Sequence, residues 1–295
     1  MAPPVTGERM ADKLLPQASG DAPPAFRATV LADAGQIDRD RIATSFSRAA
    51  AGYDMHAALQ REVADTLLDT LPHMPGHRYI LDLGCGTGYC TGHLLNRFVD
   101  SEIVALDLAL PMLKRTGAHY EHKQLDCVCA DAAMLPFAAA SFDLVVASLS
   151  LQWCGDPGTV FTELARVLKP HGVAVLSTFG PDSLKELRNA WSVVDAYTHV
   201  NRFDDEATLQ QAATRACMHL QINSRLMTRW YRDLRSISRE LKGIGAHNMN
   251  TRQAPGLTGR QAFRQAEQRF ARDYQAGSGI PVTYEIFYLT LVHKP

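Results

Sequence analysis

Several large classes of protein are excluded by what this chain lacks. No stretch approaches the roughly 18–20 consecutive apolar residues that a membrane-spanning helix requires, so no membrane partner is expected. The six cysteines (85, 90, 127, 129, 154 and 217) contain no C-x-x-C pair. Cys127 and Cys129 lie two apart on one face of a predicted strand, where a disulfide between them is awkward. All six are therefore expected as reduced, mostly buried thiols of a cytoplasmic protein. The 11 histidines are scattered without the spacing of a metal site. A net charge of −1 gives no global attraction to nucleic acid or membrane. Residues 1–35 carry five prolines and little periodic apolar pattern, which predicts a disordered arm. That arm lacks the apolar core of a signal peptide, and Glu8, Asp12 and Asp21 are wrong for a transit peptide.

What is present centres on Tyr79-Ile80-Leu81-Asp82-Leu83-Gly84-Cys85-Gly86-Thr87-Gly88. A short apolar run ending in glycines, followed by helix-forming residues 89–98, reads as strand, tight turn and helix. That arrangement brings backbone N–H groups and a helix N-terminus close to a ligand. The dinucleotide fingerprint G-x-G-x-x-G is not met, because the spacing here is G-x-G-x-G. This pattern, with the preceding acid Asp82, resembles motif I of S-adenosylmethionine-dependent methyltransferases. A second strand, 101–107, ends in Asp107, placed to accept both hydroxyls of a ribose.

Alternation continues along the chain. Helix 109–117 leads to strand 125–130 and Asp131-Ala132; strand 141–147 emerges at Ser148; helix 158–168 precedes strand 173–178. Repeated strand and helix imply right-handed parallel crossovers and a doubly wound sheet with helices on both faces, its ligand site at the carboxyl ends of the strands. Ahead of the first strand, 37–71 is helical in at least two pieces broken near Gly52. Beyond Thr178 helices are predicted at 183–196, 204–215, 231–243 and 261–275, and strands at 220–230 and 282–293. The last two strands are expected to complete seven, one of them antiparallel. The expected organisation is the arm followed by one domain, 36–295, with lid and substrate segments near 37–71 and 181–275.

With Tyr53-Asp54, Leu59-Gln60-Arg61-Glu62-Val63-Ala64, Leu151-Gln152-Trp153-Cys154, Glu186 to Trp191, His199-Val200-Asn201-Arg202-Phe203, Leu241 to Asn248, Gly256 to Arg260 and Pro281 to Glu285, the chain is similar to the malonyl-acyl-carrier-protein O-methyltransferases of biotin synthesis over about residues 40–293. Motif I is shared by many methyltransferases, and the blocks after residue 150 are the discriminating ones. Two departures are the proline-rich arm and His171, where the family often has glycine. The resemblance implies an α/β, Rossmann-like class I methyltransferase with a seven-stranded, mostly parallel sheet and helical lid elements. It implies S-adenosylmethionine as cofactor, held by Gln60, Asp82, Gly84, Cys85, Gly86, Gly88, Asp107, Leu108, Met112, Asp131, Ala132 and Ser148. It places substrate at Tyr53, Gln152, Trp153, His199 and Arg202, the arginine gripping the carboxylate. Read alone, Tyr53 is equally a core aromatic, Asp131 a helix cap or Asx turn, and Arg202 a surface partner of Asp204 or Asp205.

The implied reaction transfers a methyl group to the free carboxylate of a malonyl thioester. That carboxylate is ionised near neutral pH and a sulfonium is an activated leaving group, so positioning matters more than proton transfer; neither a catalytic base nor a metal is expected. The implied partner is an acidic carrier protein. Residues 225–273 hold 11 Lys/Arg against four acids, an excess of +7, and Arg232, Arg235, Arg239 and Lys242 recur at helical spacing. A merely solvated helix face is the alternative; without interleaved aromatics the segment does not read as a nucleic-acid site. Two other functions stay open: methylation of another small carboxylate or quinone precursor, and an assembly factor that only binds the cofactor.

Overall fold

In the computed structural model the described residues are 38–76, 78–123, 125–194, 199–246 and 259–293; the predicted arm 1–35 lies outside them. Three helices come first: α1 (Arg39–Ala49), α2 (Tyr53–His56) and α3 (Ala58–Asp69). They are followed by β1 (Tyr79–Leu83), α4 (Tyr89–Arg97), β2 (Glu102–Asp107), α5 (Leu110–His119), β3 (Leu125–Cys129) and β4 (Phe142–Ser148). A single 3-10 turn (Leu151–Trp153) leads to α6 (Pro157–Val167), β5 (Leu168–Phe179), α7 (Lys185–Trp191) and α8 (Glu206–Arg215). The described chain closes with β6 (Met218–Tyr231), α9 (Leu234–Gly243), α10 (Arg260–Tyr274) and β7 (Ile280–His293).

The strands form one seven-stranded sheet in the order β3-β2-β1-β4-β5-β7-β6. β1 pairs in parallel with both β2 and β4, whereas β7 runs antiparallel to β5 and β6. The fold is thus α/β, with the expected seven strands and β7 as the antiparallel member. Strand parity divides the core in two. Ile80, Ile103, Leu144 and Val175 face α3, α4, α7, α9 and α10, while Leu81, Val104, Val145 and Ala174 face α6 and α8. With both faces covered, β1, β2 and β4 are buried almost throughout and read in sequence as apolar runs rather than alternations.

Local chemistry explains several boundaries. Asp38, Asp156 and Asp205 cap α1, α6 and α8 by accepting backbone N–H groups, and Pro157 occupies the first turn of α6. The predicted helix 231–243 begins later, because Tyr231 completes β6 and a capping box between Asp233 and Ser236 starts α9. Within the described part of the predicted helix 183–196 only α7 is helical, residues 195 and 196 lying outside the described residues. The cysteines also require correction: Cys85 and Cys90 are buried, Cys154 is half-buried, and Cys127, Cys129 and Cys217 are exposed. Among the described residues β3 is an edge strand of the sheet, and two of those thiols reach solvent from it.

Residues 168–172, between the predicted helix 158–168 and strand 173–178, form an irregular opening of β5. Its pairing with β4 jumps from Phe142–Leu168 to Leu144–Val173, and His171 within the jump has φ +66°. That left-handed conformation costs an L residue about 1–2 kcal/mol, a cost that glycine would not carry. His171→Gly should therefore raise stability, by about 1 kcal/mol, in reversible thermal or urea unfolding. No gain would show that the exposed histidine makes a compensating interaction.

Candidate active site

β1, β2, β3 and β4 all end at one edge of the sheet, and a cavity of about 290 Å³ opens there. Its floor comes from the strand ends and its cover from outside the parallel core. Arg39, Ile42, Phe46, Tyr53 and Gln60 descend from the N-terminal helices, while Ser238, Glu240, Leu241 and Ile244 come from α9 and the residues after it. The two covers meet: buried Ser45 donates from Oγ to the carbonyl of Gly245 at 2.9 Å, and His56 lies so close to Gly243 that a Cβ there would sit 2.3 Å from its ring.

The glycine turn is built around Asp107. Gly86 N–H donates to Asp107 Oδ2 at 2.9 Å and Ala109 N–H to Oδ1 at 2.7 Å. Burial pushes this carboxyl upward from its ordinary value, and those N–H groups draw it back. Gly84 has φ +75°, and a Cβ on it would fall 2.4 Å from Ser150 Cβ, so only glycine lets the turn lie against the loop after β4. Tyr120 and Thr116 brace the other side through the carbonyls of Gly88 (3.1 Å) and Gly86 (2.9 Å).

Of the cofactor residues predicted from sequence, Gln60, Gly84, Gly86, Leu108, Met112, Asp131, Ala132 and Ser148 line this cavity together with Asp107. Asp82, Cys85 and Gly88 do not. Asp82 shares the parity of Ile80 and points under α4, where Thr91 donates to it at 2.5 Å. It is 1% exposed, and burial, reinforced by Asp107 and opposed by Thr91, pushes its pKa up to about 7. Cys85 and Cys90 are buried thiols whose pKa values are driven well up by burial, and Cys154, in the cavity wall, is pushed up to about 12. None is a nucleophile near neutral pH.

Of the substrate residues, Tyr53, Gln152, Trp153 and His199 line the cavity. The Tyr53 hydroxyl is pushed far above the ordinary phenol range by burial first, then by Asp107 and Asp54, which keeps it a neutral donor. Gln152 donates to the carbonyl of Leu149 at 2.6 Å and accepts from Thr178 at 3.2 Å. His199 stacks on Trp191, ring centroids 4.2 Å apart. Arg202 does not line the cavity: its neighbours Asn201 and Phe203 do, while its own side chain is exposed. Sequence reasoning missed Arg39, Glu240 and Tyr284. The last two join through Tyr231, whose hydroxyl lies 2.7 Å from Glu240 Oε1 and 3.0 Å from Tyr284. No local spacing announces residues that long-range packing gathers.

The donor set fits S-adenosylmethionine. Gln60 Oε1 is buried without a hydrogen-bond partner among the described residues, an acceptor that a donor from a ligand would satisfy. The bare glycine backbone at 84 and 86 admits close approach, and Asp107 and Asp131 offer carboxylates at the strand ends. Among the described residues no His, Cys, Asp or Glu cluster could hold a metal, and no helix is long and apolar enough to cross a membrane.

Fold and site define a class I S-adenosylmethionine-dependent methyltransferase. The family model described as a methyltransferase domain matches residues 81–176. The YcgJ protein of Bacillus subtilis superimposes with a TM-score of 0.58 at 16% identity, covering 79% of this chain and 99% of that one. The [4+2]-cyclase SpnF does so at 0.51 and 16%, covering 80% and 82%. At such identities these structures establish the fold alone, and SpnF carries the name of a different reaction. A malonyl-[acyl-carrier protein] O-methyltransferase from Methylovorus sp. strain MP688 is 39% identical over 266 residues, 87% of this chain and 90% of the relative. One from Laribacter hongkongensis is also 39% identical, over 277 residues, covering 88% and 90%. The chain belongs to the malonyl-[acyl-carrier protein] O-methyltransferase family. It is also 44% identical over 259 residues to the biotin biosynthesis bifunctional protein BioHC of Cellvibrio japonicus, covering 86% of this chain and spanning half that relative's length.

Asp82 gives a pH prediction. Its carboxyl rises on folding from 3.8 to about 7, so the folded state favours the proton. The stability this contributes is complete below about pH 4 and is lost as pH rises through 7. Asp82→Asn, which keeps the acceptor for Thr91, should gain on the wild type in melting temperature between pH 5 and 8, without cofactor. A constant difference across that range would show that Asp82 is ionised in the folded protein throughout.

Proposed function

We infer that this chain transfers a methyl group from S-adenosylmethionine to the free carboxylate of malonyl-[acyl-carrier protein], giving the methyl ester used in biotin synthesis. What carries the reading is family membership joined to one cavity that combines a glycine-turn cofactor floor with an aromatic, donor-lined far wall. The reaction forms an oxygen–carbon bond on the carboxylate as the sulfonium carbon–sulfur bond breaks, with no proton transferred. Accordingly this chain's task is to bind, orient and exclude water. Gln60, Gly84, Gly86, Leu108, Met112, Asp131, Ala132 and Ser148 would surround the cofactor, with Asp107 on its ribose. Asp82, Cys85 and Gly88 would support the turn from behind.

At the substrate end Tyr53, Gln152, Trp153 and His199 would hold the malonyl carboxylate. Donors other than arginine suit a nucleophile, since a tight bidentate arginine pair would withdraw electron density from both oxygens. Arg202, exposed at the margin, is assigned no contact with the carboxylate. Malonyl thioester should therefore yield S-adenosylhomocysteine, and acetyl thioester none. His199→Ala should lower kcat/KM on malonyl-carrier protein by about tenfold or more at unchanged cofactor affinity, and Arg202→Ala by less than about threefold. The reverse ranking would restore the arginine to the site.

The carrier protein is read as docking on α9 and α10. Part of the basic excess is cancelled: Arg229 pairs with Glu62, Arg235 with Glu267, and Arg269 and Arg272 with Asp273. Arg239, Lys242, Arg260 and Arg264 are exposed and form no ion pair among the described residues. α9 turns Leu234 and Ile237 inward while presenting Arg239 and Lys242 outward. Changing those two together to Glu should raise KM for malonyl-carrier protein about tenfold and leave malonyl-coenzyme A within about twofold. Raised salt should reproduce the difference on the wild type. Equal losses on both substrates would place the damage inside the cavity.

A further inference from the structure

Arg39, the first residue of α1, reaches across to the loop after β3. Its Nη1 lies 2.6 Å from Asp131 Oδ2, and the side chains are 54% and 18% exposed. The other oxygen, Oδ1, accepts the N–H of Ala133 at 2.8 Å. The carboxylate is thus held from two directions, by its own loop and by a helix far away in sequence. Both residues line the cavity. An ion pair this exposed adds little to stability, and α1 does not depend on it for its position. Phe46 meets Trp153 edge-on at 5.4 Å, Ala50 clusters with Ala109 and Met112, and Ser45 bonds to Gly245. Packing sets the helix down first, and Arg39 then meets a carboxylate in the cavity wall.

We propose that Arg39 is a positioning residue for the adenine of the cofactor. Asp131 has four lone-pair directions, two of which Arg39 and Ala133 occupy; fixing those leaves the others in one orientation, toward a purine amino donor. Without Arg39 the carboxylate can turn about its side-chain bond, and the ordering falls to the ligand. This rests on the proposed placing of Asp131 against the cofactor, taken here as the acceptor of the adenine amino group.

The test is calorimetric binding of two ligands, S-adenosylhomocysteine and S-inosylhomocysteine. The second carries a carbonyl in place of the exocyclic amino group, so it offers Asp131 no amino donor at that position. Arg39→Met should weaken the adenosyl ligand by about tenfold while the inosyl ligand moves less than about twofold, and Arg39→Lys should recover part of the loss. Comparing two ligands on one protein separates positioning from general damage to α1, which would weaken both. Equal losses on both ligands, or no loss on the adenosyl ligand, would overturn the proposal. Asp131→Asn tests the underlying reading separately: it should shrink or reverse the preference for adenosyl over inosyl ligand. A preserved preference there would overturn the assignment of Asp131 itself.

Discussion

Two backbone N–H groups donating to opposite oxygens of Asp107 hold the functional edge of this molecule together. One comes from the glycine turn after β1, the other from the start of α5. A buried carboxylate without such donors would be expensive, and a glycine turn without such an acceptor would leave an orphan N–H. Each therefore fixes the other. Around this joint Tyr120 and Thr116 brace the turn and Ser150 fills the space that Gly84 leaves. The covers from α1 to α3 and from α9 then close on a floor whose shape is already set.

Much of this was legible from residues alone, because the relevant signals are local. An apolar run followed by glycines and a helix needs no tertiary information, and neither does an acid ending the next strand. Asp107 and Asp131 were both found that way. What failed to follow from sequence depends on direction. Asp82 and Asp107 both lie near strand ends, yet strand parity sends Asp82 beneath α4 to Thr91 and away from the cavity. Arg202 sits among cavity residues but faces outward, and nothing in its spacing says so. Arg39, Glu240 and Tyr284 converge through packing between distant segments. Asp131 is open in sequence between an Asx turn and a ligand acceptor; the structure gives it the turn contact with Ala133 and a place in the cavity wall.

Charge divides the surface into regions with separate tasks. The cavity wall holds Asp107, Asp131 and Glu240 against Arg39, suited to a cofactor bearing a sulfonium and an ammonium. Exposed Arg239 and Lys242 lie on the outer side of the helix that supplies Ser238, Glu240 and Leu241 to that wall. One short amphipathic helix thus carries exposed cations on one side and cavity residues on the other. The thiols of Cys85, Cys90 and Cys154 and the Tyr53 hydroxyl are all pushed up by burial and stay protonated near neutral pH.

The most direct measurement is the location of the transferred methyl group. Malonyl-carrier protein is incubated with this enzyme and S-adenosylmethionine bearing a deuterated methyl group, and the released acyl–pantetheine arm is fragmented by mass spectrometry. One labelled methyl on the terminal carboxylate, as an ester cleaved by mild alkali, is the predicted result. No labelled arm, or label at the central carbon or on the arm itself, would contradict the account.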